Sequence, residues 1–270
     1  MSRDGIHQAA HSTRFVDHSR GTEKILDYQV FGERCSGTNY LDQILKENFR
    51  IKAVHHYGWK HGFPTMPGIW RQSLCVVITR APFDWLRRFY RTPYEMDPTM
   101  SELGFSEWIR SPWHSICRPR IQGWEKWGMQ FIPNLGRHPL QLDRHPIEGR
   151  AFSSVCEMRT LKYRAWFGLK NRASNFLFIR YEDLNRDPIG LLSDIQSIFQ
   201  LECRSGPVRD TVERADPKIA HRRDLRRDVG EISTEDRSFV LAQLDRELEA
   251  RMGYSLEPDI AATPSSTPQS

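Results

Sequence analysis

The chain has 270 residues, of which 39% are hydrophobic and 27% are charged, so it is long enough to bury one sizeable core. The formal net charge is +5, but 34 acidic residues are interspersed with the 39 basic ones, which argues against a dense nucleic-acid-binding stripe. Most of the basic residues are arginine, the better side chain for bidentate recognition of phosphate or sulfate, although a coding bias toward arginine would leave the same trace.

The cysteines and the apolar runs bear on the compartment. No two of the five cysteines have the C-x-x-C spacing of metal or redox pairs, so we interpret all five as reduced thiols. No apolar run reaches the roughly 18 residues of a membrane span, and the N-terminus lacks the apolar region of a secretory signal. These features predict a cytoplasmic protein with no membrane span. No carboxylate cluster suggests a metal ion, and the oligomeric state is left open.

Both ends of the chain are predicted to be flexible tails. Residues 1–22 are polar and aperiodic, and residues 258–270 are rich in Pro, Ser and Thr, so neither end has enough apolar surface to offset its ordering entropy. Residues 23–257 are predicted to form a single domain. Within it, residues 92–158 are rich in Pro, Trp and Arg and weakly periodic, which is typical of a substrate-side insertion.

Short β-rich runs alternate with helical patterns, and this alternation predicts an α/β fold with a central, mostly parallel sheet flanked by helices. The near-continuous apolar character of "LCVVIT" predicts a central strand that is buried on both faces. Four runs are predicted to be strands: 25–32, 49–56, 74–79 and 175–181.

Helices are predicted after the first, third and fourth of these strands and near the C-terminus. After the first and the fourth strand, apolar residues recur on one face of each predicted helix. Pro82 and Pro188 stand where the first residue of a helix belongs, after the third and fourth strands, and Asp187 is the predicted N-cap before Pro188. The last helix is predicted to open at Ser233 or Thr234 and to stop at Gly253.

The corner after the first strand reads "GERCSGTN" and is typical of an anion-binding loop. Gly32 and Gly37 allow a tight turn, and a helix that begins near Gly37 directs backbone N–H groups and the positive end of its dipole into the crevice. The glycine spacing fits the phosphate loop G-x-x-x-x-G-K-[ST], but Thr38 stands in the lysine position. An ordinary ATPase or GTPase is therefore disfavoured, and a purely structural strand-to-helix corner is the alternative.

The segment "CSGTNY" resembles the first signature of the sulfotransferases that use 3'-phosphoadenosine 5'-phosphosulfate (PAPS), a K-S-G-T-T-W loop that cradles the 5'-phosphosulfate. The bacterial branch, with its G-E-R-x-S-G-T-N-Y-L form, is the more similar. Cys35 stands in place of the family lysine, and Arg34 is expected to supply the positive charge instead. The resemblance implies that the loop binds the donor through Arg34, Cys35, Ser36, Gly37, Thr38, Asn39 and Tyr40.

The segment "VVITRAPFDWLRRFY" resembles the second signature of the family, R-x-P-x-D, through Arg80, Pro82 and Asp84. In the family, this arginine and a serine eight residues later hold the 3'-phosphate of PAPS. Arg88 stands in the serine position here, and its guanidinium is expected to face the same phosphate. Arg222, in "AHRRDLRRD", is the candidate for a basic loop that closes the site, with a solvated basic turn as the alternative.

The segment "GWKHGFP" is similar to the K-T-H-L-P of the cytosolic sulfotransferases, in which His is the general base and Lys contacts the bridging oxygen of the leaving group. Lys60 and His61 are therefore the catalytic candidates. They are adjacent here, and neighbouring side chains of an extended segment point to opposite faces, so both serve one site only if the backbone turns between them. His56 and an acidic residue elsewhere are rival bases.

Together these resemblances imply a three-layer P-loop-like fold and a sulfotransferase that moves a sulfuryl group from PAPS to a hydroxyl or amine, with adenosine 3',5'-bisphosphate (PAP) as the product. The acceptor is expected to be a small molecule or glycan rather than a nucleic acid. The alternatives are a nucleotide-dependent kinase with a degenerate phosphate loop and a noncatalytic anion-binding module. Four tryptophans of the insertion would form either an acceptor-stacking wall or core: Trp108, Trp113, Trp124 and Trp127.

Overall fold

A computed structural model describes residues 14–117, 140–210 and 229–256 of the chain. The first of two compact units contains a five-stranded sheet, and the second contains helices and a two-stranded sheet. The single domain over residues 23–257 stays a prediction. The two units are Met1–Ala81 with Trp166–Pro217, and Pro82–Ala165 with Lys218–Ser270.

The helices and strands follow one another in an order that alternates between the two types over much of the chain. Short 3₁₀ helices at Pro98–Met100 and Gly168–Asn171 join some of them. In chain order, the elements of the described residues are β1 (Phe15–Ser19), β2 (Asp27–Phe31), α1 (Thr38–Asn48), β3 (Lys52–Ala53), β4 (Ser73–Thr79), α2 (Pro82–Arg91), α3 (Phe105–Arg110), β5 (Ser115–Cys117), β6 (Leu140–Leu142), α4 (Val155–Phe167), β7 (Asn175–Arg180), α5 (Tyr181–Arg186), α6 (Pro188–Phe199), α7 (Thr234–Gln243) and α8 (Arg246–Arg251).

The five-stranded sheet has the order β1-β7-β4-β2-β3. The β2–β3, β2–β4 and β4–β7 pairs are parallel, and only β1 runs antiparallel, along the outer side of β7. All seven residues of the central strand β4 are buried, as expected for a strand covered on both faces. The α/β class and the mostly parallel sheet flanked by helices are therefore confirmed.

One face of the sheet packs against α1 and α6 in a continuous apolar core. Alternate residues of β4, Leu74, Val76 and Ile78, belong to this core because successive side chains of a strand point to opposite faces. Leu41 of α1 and Leu192 of α6 are fully buried against them. The apolar stripe predicted for each of these helices is thus the stripe that faces the sheet.

The parallel register brings three strand ends to one edge of the sheet. Phe31, the last residue of β2, lies opposite Val77 of β4, and Thr79, the last residue of β4, lies opposite Arg180 of β7. The segments that follow β2, β4 and β7 therefore leave the sheet on the same side. In open α/β sheets this carboxyl edge is the usual location of a ligand site.

Several predicted boundaries were wrong. Phe15–Ser19 forms strand β1 within the segment predicted to be a tail, and Phe15 is buried, so order begins before residue 23. The second strand, predicted over 49–56, comprises only Lys52–Ala53. The single C-terminal helix is two helices, because the Asp245 side chain accepts a hydrogen bond from Leu248 N–H and caps α8 as a new helix.

Other predictions concern the ends of the helices. Asp187 caps α6 by accepting a hydrogen bond from Gly190 N–H, and Ser233 caps α7 through Asp236 N–H, as the sequence predicts. Tyr181 begins α5 instead of ending the fourth strand.

The tail at 258–270 lies outside the described residues. Among the residues that the structure describes, no helix is both long enough and apolar enough to span a membrane.

The second unit has an aromatic core of its own. Trp108 and Trp113 are fully buried, and the Phe89 ring lies 4.9 Å from that of Trp113, so these tryptophans of the predicted insertion are core. Trp124 and Trp127 lie outside the described residues. Arg159 and Glu249, both fully buried, form a bidentate ion pair with N···O distances of 2.6 and 2.9 Å.

Candidate functional site

The candidate site lies within the first unit, at the carboxyl edge of its sheet. The corner after β2 runs from Gly32 to Gly37, Arg80 follows β4, and Tyr181 follows β7. A fourth segment, the loop around Lys60, is hydrogen-bonded to the corner. Elements distant in sequence therefore meet at this edge.

The two glycines of the corner are required by close approaches. A Cβ on Gly32 would lie 2.5 Å from the Ile78 carbonyl oxygen of β4, a distance that real Cβ atoms essentially never show. Gly37 has a left-handed backbone, with φ of +94°, and a Cβ there would lie closer than 3.0 Å to the Tyr181 ring. The corner is thus packed tightly between β4 and the start of α5.

The corner delivers the N-terminus of α1 to the sheet edge. Gly37 is the N-cap of this eleven-residue helix, and its carbonyl accepts the first helical hydrogen bond, from Leu41 N–H at 3.0 Å. A glycine N-cap offers no side-chain oxygen to the N–H groups of the first turn, which have no partners within the helix. These groups and the helix dipole form an arrangement that suits an anion.

The loop side chains differ in exposure. Ser36 and Thr38 are buried, whereas Asn39 is exposed and Cys35 and Tyr40 are partly exposed. The Tyr40 hydroxyl donates to the Asp210 carboxylate at 3.1 Å, an interaction that no sequence motif indicates.

Arg80 places a cation beside the corner. Its Nη1 donates to the Cys35 carbonyl at 3.1 Å, and its Cζ lies 4.2 Å from the centroid of the Tyr181 ring. A guanidinium over an aromatic face is held by a cation–π interaction. The Glu182 carboxylate accepts a hydrogen bond from Ala81 N–H at 2.9 Å and ties the chain after Arg80 to α5.

The backbone turns between Lys60 and His61. Gly62 N–H donates to the Trp59 carbonyl at 2.8 Å, which makes Lys60 and His61 the two central residues of a β-turn. The Lys60 carbonyl accepts from Gly32 N–H at 3.0 Å, and the Lys60 ammonium donates to the Asn39 side chain. The turn thus brings both catalytic candidates to the corner, the geometry on which their joint role depends.

A buried glutamine anchors the loop that carries this turn. Gln29 of β2 is 1% exposed, and its side chain accepts from Tyr57 N–H at 3.0 Å and donates to the Gly58 carbonyl at 2.8 Å. Because both ends of the amide are satisfied by backbone groups, the loop is held in a definite position relative to β2. Lys60 follows two residues after this anchor.

The contact of His61 with the corner determines which ring nitrogen carries a proton. His61 Nδ1 lies 2.6 Å from the carbonyl oxygen of Gly32. A carbonyl oxygen can only accept, so Nδ1 is the donor, and in the neutral imidazole Nε2 is the basic nitrogen. His61 is therefore in the tautomer that a general base acting through Nε2 requires.

Arg34 is not at the surface of the corner. It is 1% exposed, and its Nη1 lies 3.0 Å from Oε1 of Glu33, which is fully buried. The Arg34 guanidinium also lies 4.8 Å from the centroid of the Trp59 ring. Its charge is balanced by Glu33, so this geometry favours a structural role over that of a substitute for the family lysine.

Three further residues were predicted at or near the site: His56, Arg88 and Arg222. His56 is exposed, and its ring lies 4.3 Å from that of Tyr57. Arg88 is exposed in the last turn of α2, which belongs to the second unit. Arg222 lies outside the described residues.

Sequence reasoning missed Tyr181 and Trp59. Tyr181 was predicted to be the last residue of the fourth strand, and its contacts with Gly37 and Arg80 depend on the packing of α5. Trp59 precedes Lys60, and nothing in its sequence context indicates contacts with Arg34 and His61.

A scan against protein-family models finds no match for the chain, and no curated protein matches it either. The described residues contain no group of three or more His, Cys, Asp or Glu side chains that could hold a metal ion. The geometry of the site is therefore the basis of the function proposed below.

Proposed function

We propose that the protein is a sulfotransferase that moves the sulfuryl group of PAPS to a hydroxyl or amine of a small molecule or glycan. The observation that carries the proposal is the joint contact of the Lys60–His61 turn with Gly32, at the loop that also contacts Arg80 and leads into the N-terminus of α1. The side chains that support it are the His61 imidazole, at the Gly32 carbonyl, and the Lys60 ammonium, at Asn39 in the first turn of α1. The proposal includes a three-layer, P-loop-like arrangement of the whole chain.

The donor fits the corner as an anion. The backbone N–H groups at the start of α1 and the Arg80 guanidinium would hold its phosphate and sulfate oxygens, since both suit groups with several acceptor oxygens. Thr38 in the lysine position makes a nucleoside triphosphate the poorer ligand. Arg80 is the proposed partner of the 3'-phosphate.

The reaction would be an in-line displacement in which the acceptor oxygen or nitrogen attacks sulfur and the bond from sulfur to the bridging oxygen breaks. His61 Nε2 would take the proton of the acceptor, a contribution of about 10²–10⁴-fold in rate. Lys60 would stabilise the negative charge that develops on the bridging oxygen as PAP leaves. Its present partner, the Asn39 side chain, holds the ammonium at the first turn of α1.

The first experiment is a thermal-shift comparison of PAP with ATP plus magnesium and with AMP. A ligand that binds only the folded state stabilises it by RT ln(1 + [L]/Kd), about 2.7 kcal/mol at a hundredfold excess over Kd. Sulfotransferase function predicts a shift that is selective for PAP. A larger shift with ATP plus magnesium would favour the kinase, and no shift with any of the three would contradict a nucleotide donor.

The catalytic assignment is tested by turnover of PAPS with a panel of phenols, sugars and amines as acceptors. His61→Ala and Lys60→Ala are each expected to lower kcat by a hundredfold or more while PAP still binds. His56→Ala is the matched control, because it removes an exposed histidine of the same loop and is expected to leave kcat within about twofold. Turnover within tenfold of wild type in both active-site variants would refute the assignment.

A further inference from the structure

Trp59 lies between a buried ion pair and the candidate base. On one side, the Arg34 guanidinium is 4.8 Å from the centroid of the indole ring. On the other, the His61 ring is 5.6 Å from it at an interplanar angle of 89°. The indole therefore contacts both residues, although 25 positions separate Arg34 from Trp59 in the sequence.

The Glu33–Arg34 pair is a rigid support for the indole. Glu33 is fully buried and Arg34 is 1% exposed, and Glu33 Oε1 accepts from both the backbone N–H and the Nη1 of Arg34, at 2.9 and 3.0 Å. A buried charge pair with charge-assisted hydrogen bonds has few alternative arrangements, because any other arrangement leaves a charge without its counterion in a low dielectric. The cation–π contact with the Arg34 guanidinium holds the Trp59 ring in place.

The imidazole of His61 is in turn held on two sides. Its Nδ1 donates to the Gly32 carbonyl at 2.6 Å, and the perpendicular indole of Trp59 packs against the ring. The carbonyl selects the Nδ1–H tautomer, and the indole limits rotation of the ring away from that carbonyl. The hydrogen bond alone would not fix the orientation of the ring, and the indole contact alone would not determine which ring nitrogen carries the proton.

We propose that Trp59, supported by Arg34 and Glu33, is a positioning residue that keeps His61 in the Nδ1–H tautomer with Nε2 as the basic nitrogen. Arg34 then serves the general base and makes no contact with the donor. The inference rests on the proposed function for the role of His61 as base, but the tautomer itself can be measured without any substrate.

The test uses ¹⁵N-histidine labelling and NMR of the full chain, with the His61 resonances assigned among the ten histidines by the His61→Gln variant. At a pH at which His61 is neutral, wild type is expected to show its Nδ1 protonated and its Nε2 unprotonated. Trp59→Leu is expected to show averaging between the two tautomers, and Trp59→Phe, which keeps an aromatic face, is expected to restore the wild-type pattern. Trp70→Leu is the control, because Trp70 is an exposed tryptophan of the loop that follows.

Kinetics and binding supply the second readout. Trp59→Leu is expected to lower kcat by about tenfold or more, within the range of a general base, while KM for PAPS and the affinity for PAP stay within about twofold. The unchanged PAP affinity also shows that the variant is folded. Trp59→Phe is expected to recover most of kcat.

Three results would overturn the inference: an unchanged His61 tautomer in Trp59→Leu, an equal effect of Trp70→Leu, or a fall in PAP affinity that parallels the fall in kcat. Failure of the proposed function has a different signature, since wild type would then neither bind PAP nor turn over PAPS, whatever the state of His61.

Discussion

Gly37→Ala is the substitution whose effect the structure defines most closely. Gly37 has a left-handed backbone with φ of +94°, and a Cβ at this position would lie closer than 3.0 Å to the Tyr181 ring. The substitution therefore adds two costs, backbone strain and a steric overlap, without changing any charge. Gly58 provides a matched control, because its φ is +98° and no atom lies within 4 Å of a Cβ placed there.

The two costs can be separated by this comparison. Forcing a non-glycine residue into the left-handed region costs about 1–2 kcal/mol, so Gly58→Ala should lower the free energy of unfolding by about that amount. Overpacking adds about 1–3 kcal/mol. Gly37→Ala should therefore cost about 2–5 kcal/mol in total, and the difference between the two variants estimates the overlap with Tyr181.

The measurement is urea unfolding of both variants in parallel, followed by titration with PAP. Shifting either the Tyr181 ring or the corner also displaces the start of α1 and the aromatic support of Arg80, so Gly37→Ala should weaken PAP binding by about tenfold or more. Gly58→Ala should leave the corner itself unchanged.

A double-mutant cycle identifies the cause. Tyr181→Ala removes the overlapping ring, so Gly37→Ala should cost about 1–3 kcal/mol less in that background than in wild type. Equal losses of stability for Gly37→Ala and Gly58→Ala, or no coupling between positions 37 and 181, would refute the close packing of the corner against α5.

Three further predictions concern other residues. Alkylation of the native protein at pH 8 should modify the partly exposed Cys35 and spare Cys75, because burial raises the pKa of the Cys75 thiol to about 12. PAP should protect Cys35 from the reagent. Equal labelling of both cysteines would contradict the burial of Cys75. Arg159→Met should lower the free energy of unfolding by about 3–5 kcal/mol, and adding Glu249→Leu should recover most of the loss, because the single change leaves a buried charge without its partner. Hydrogen bonds from Arg150 lower the pKa of Glu157 to about 2 from a usual value of 4.5. The stabilisation that Glu157 provides is therefore present above pH 4.5 and is lost as the pH falls toward 2. In denaturation experiments, the difference in stability between wild type and Glu157→Gln should disappear over that pH range.

The local features of the chain were predictable from its sequence. The apolar run that became β4 could only be a buried central strand, and the caps Asp187 and Ser233 acted where the sequence placed them. The glycines of the corner indicated a turn into a helix, and Gly37 is indeed its N-cap. These features depend on backbone sterics and on hydrogen bonds between residues a few positions apart, which sequence patterns record directly.

Other features were decided by the tertiary structure alone, because they depend on pairings between residues that are far apart in the chain. Strand β1 exists because it adds to β7, from which some 160 residues separate it, and its own sequence is too polar to reveal it. Arg34 was expected at the donor, but its neighbour Glu33 balances its charge, and the packing of Trp59 against it gives the guanidinium a buried place instead. The sequence by itself determined which residue types are present at the corner, whereas burial, which sets the cost of every charge, is a property of the assembled fold.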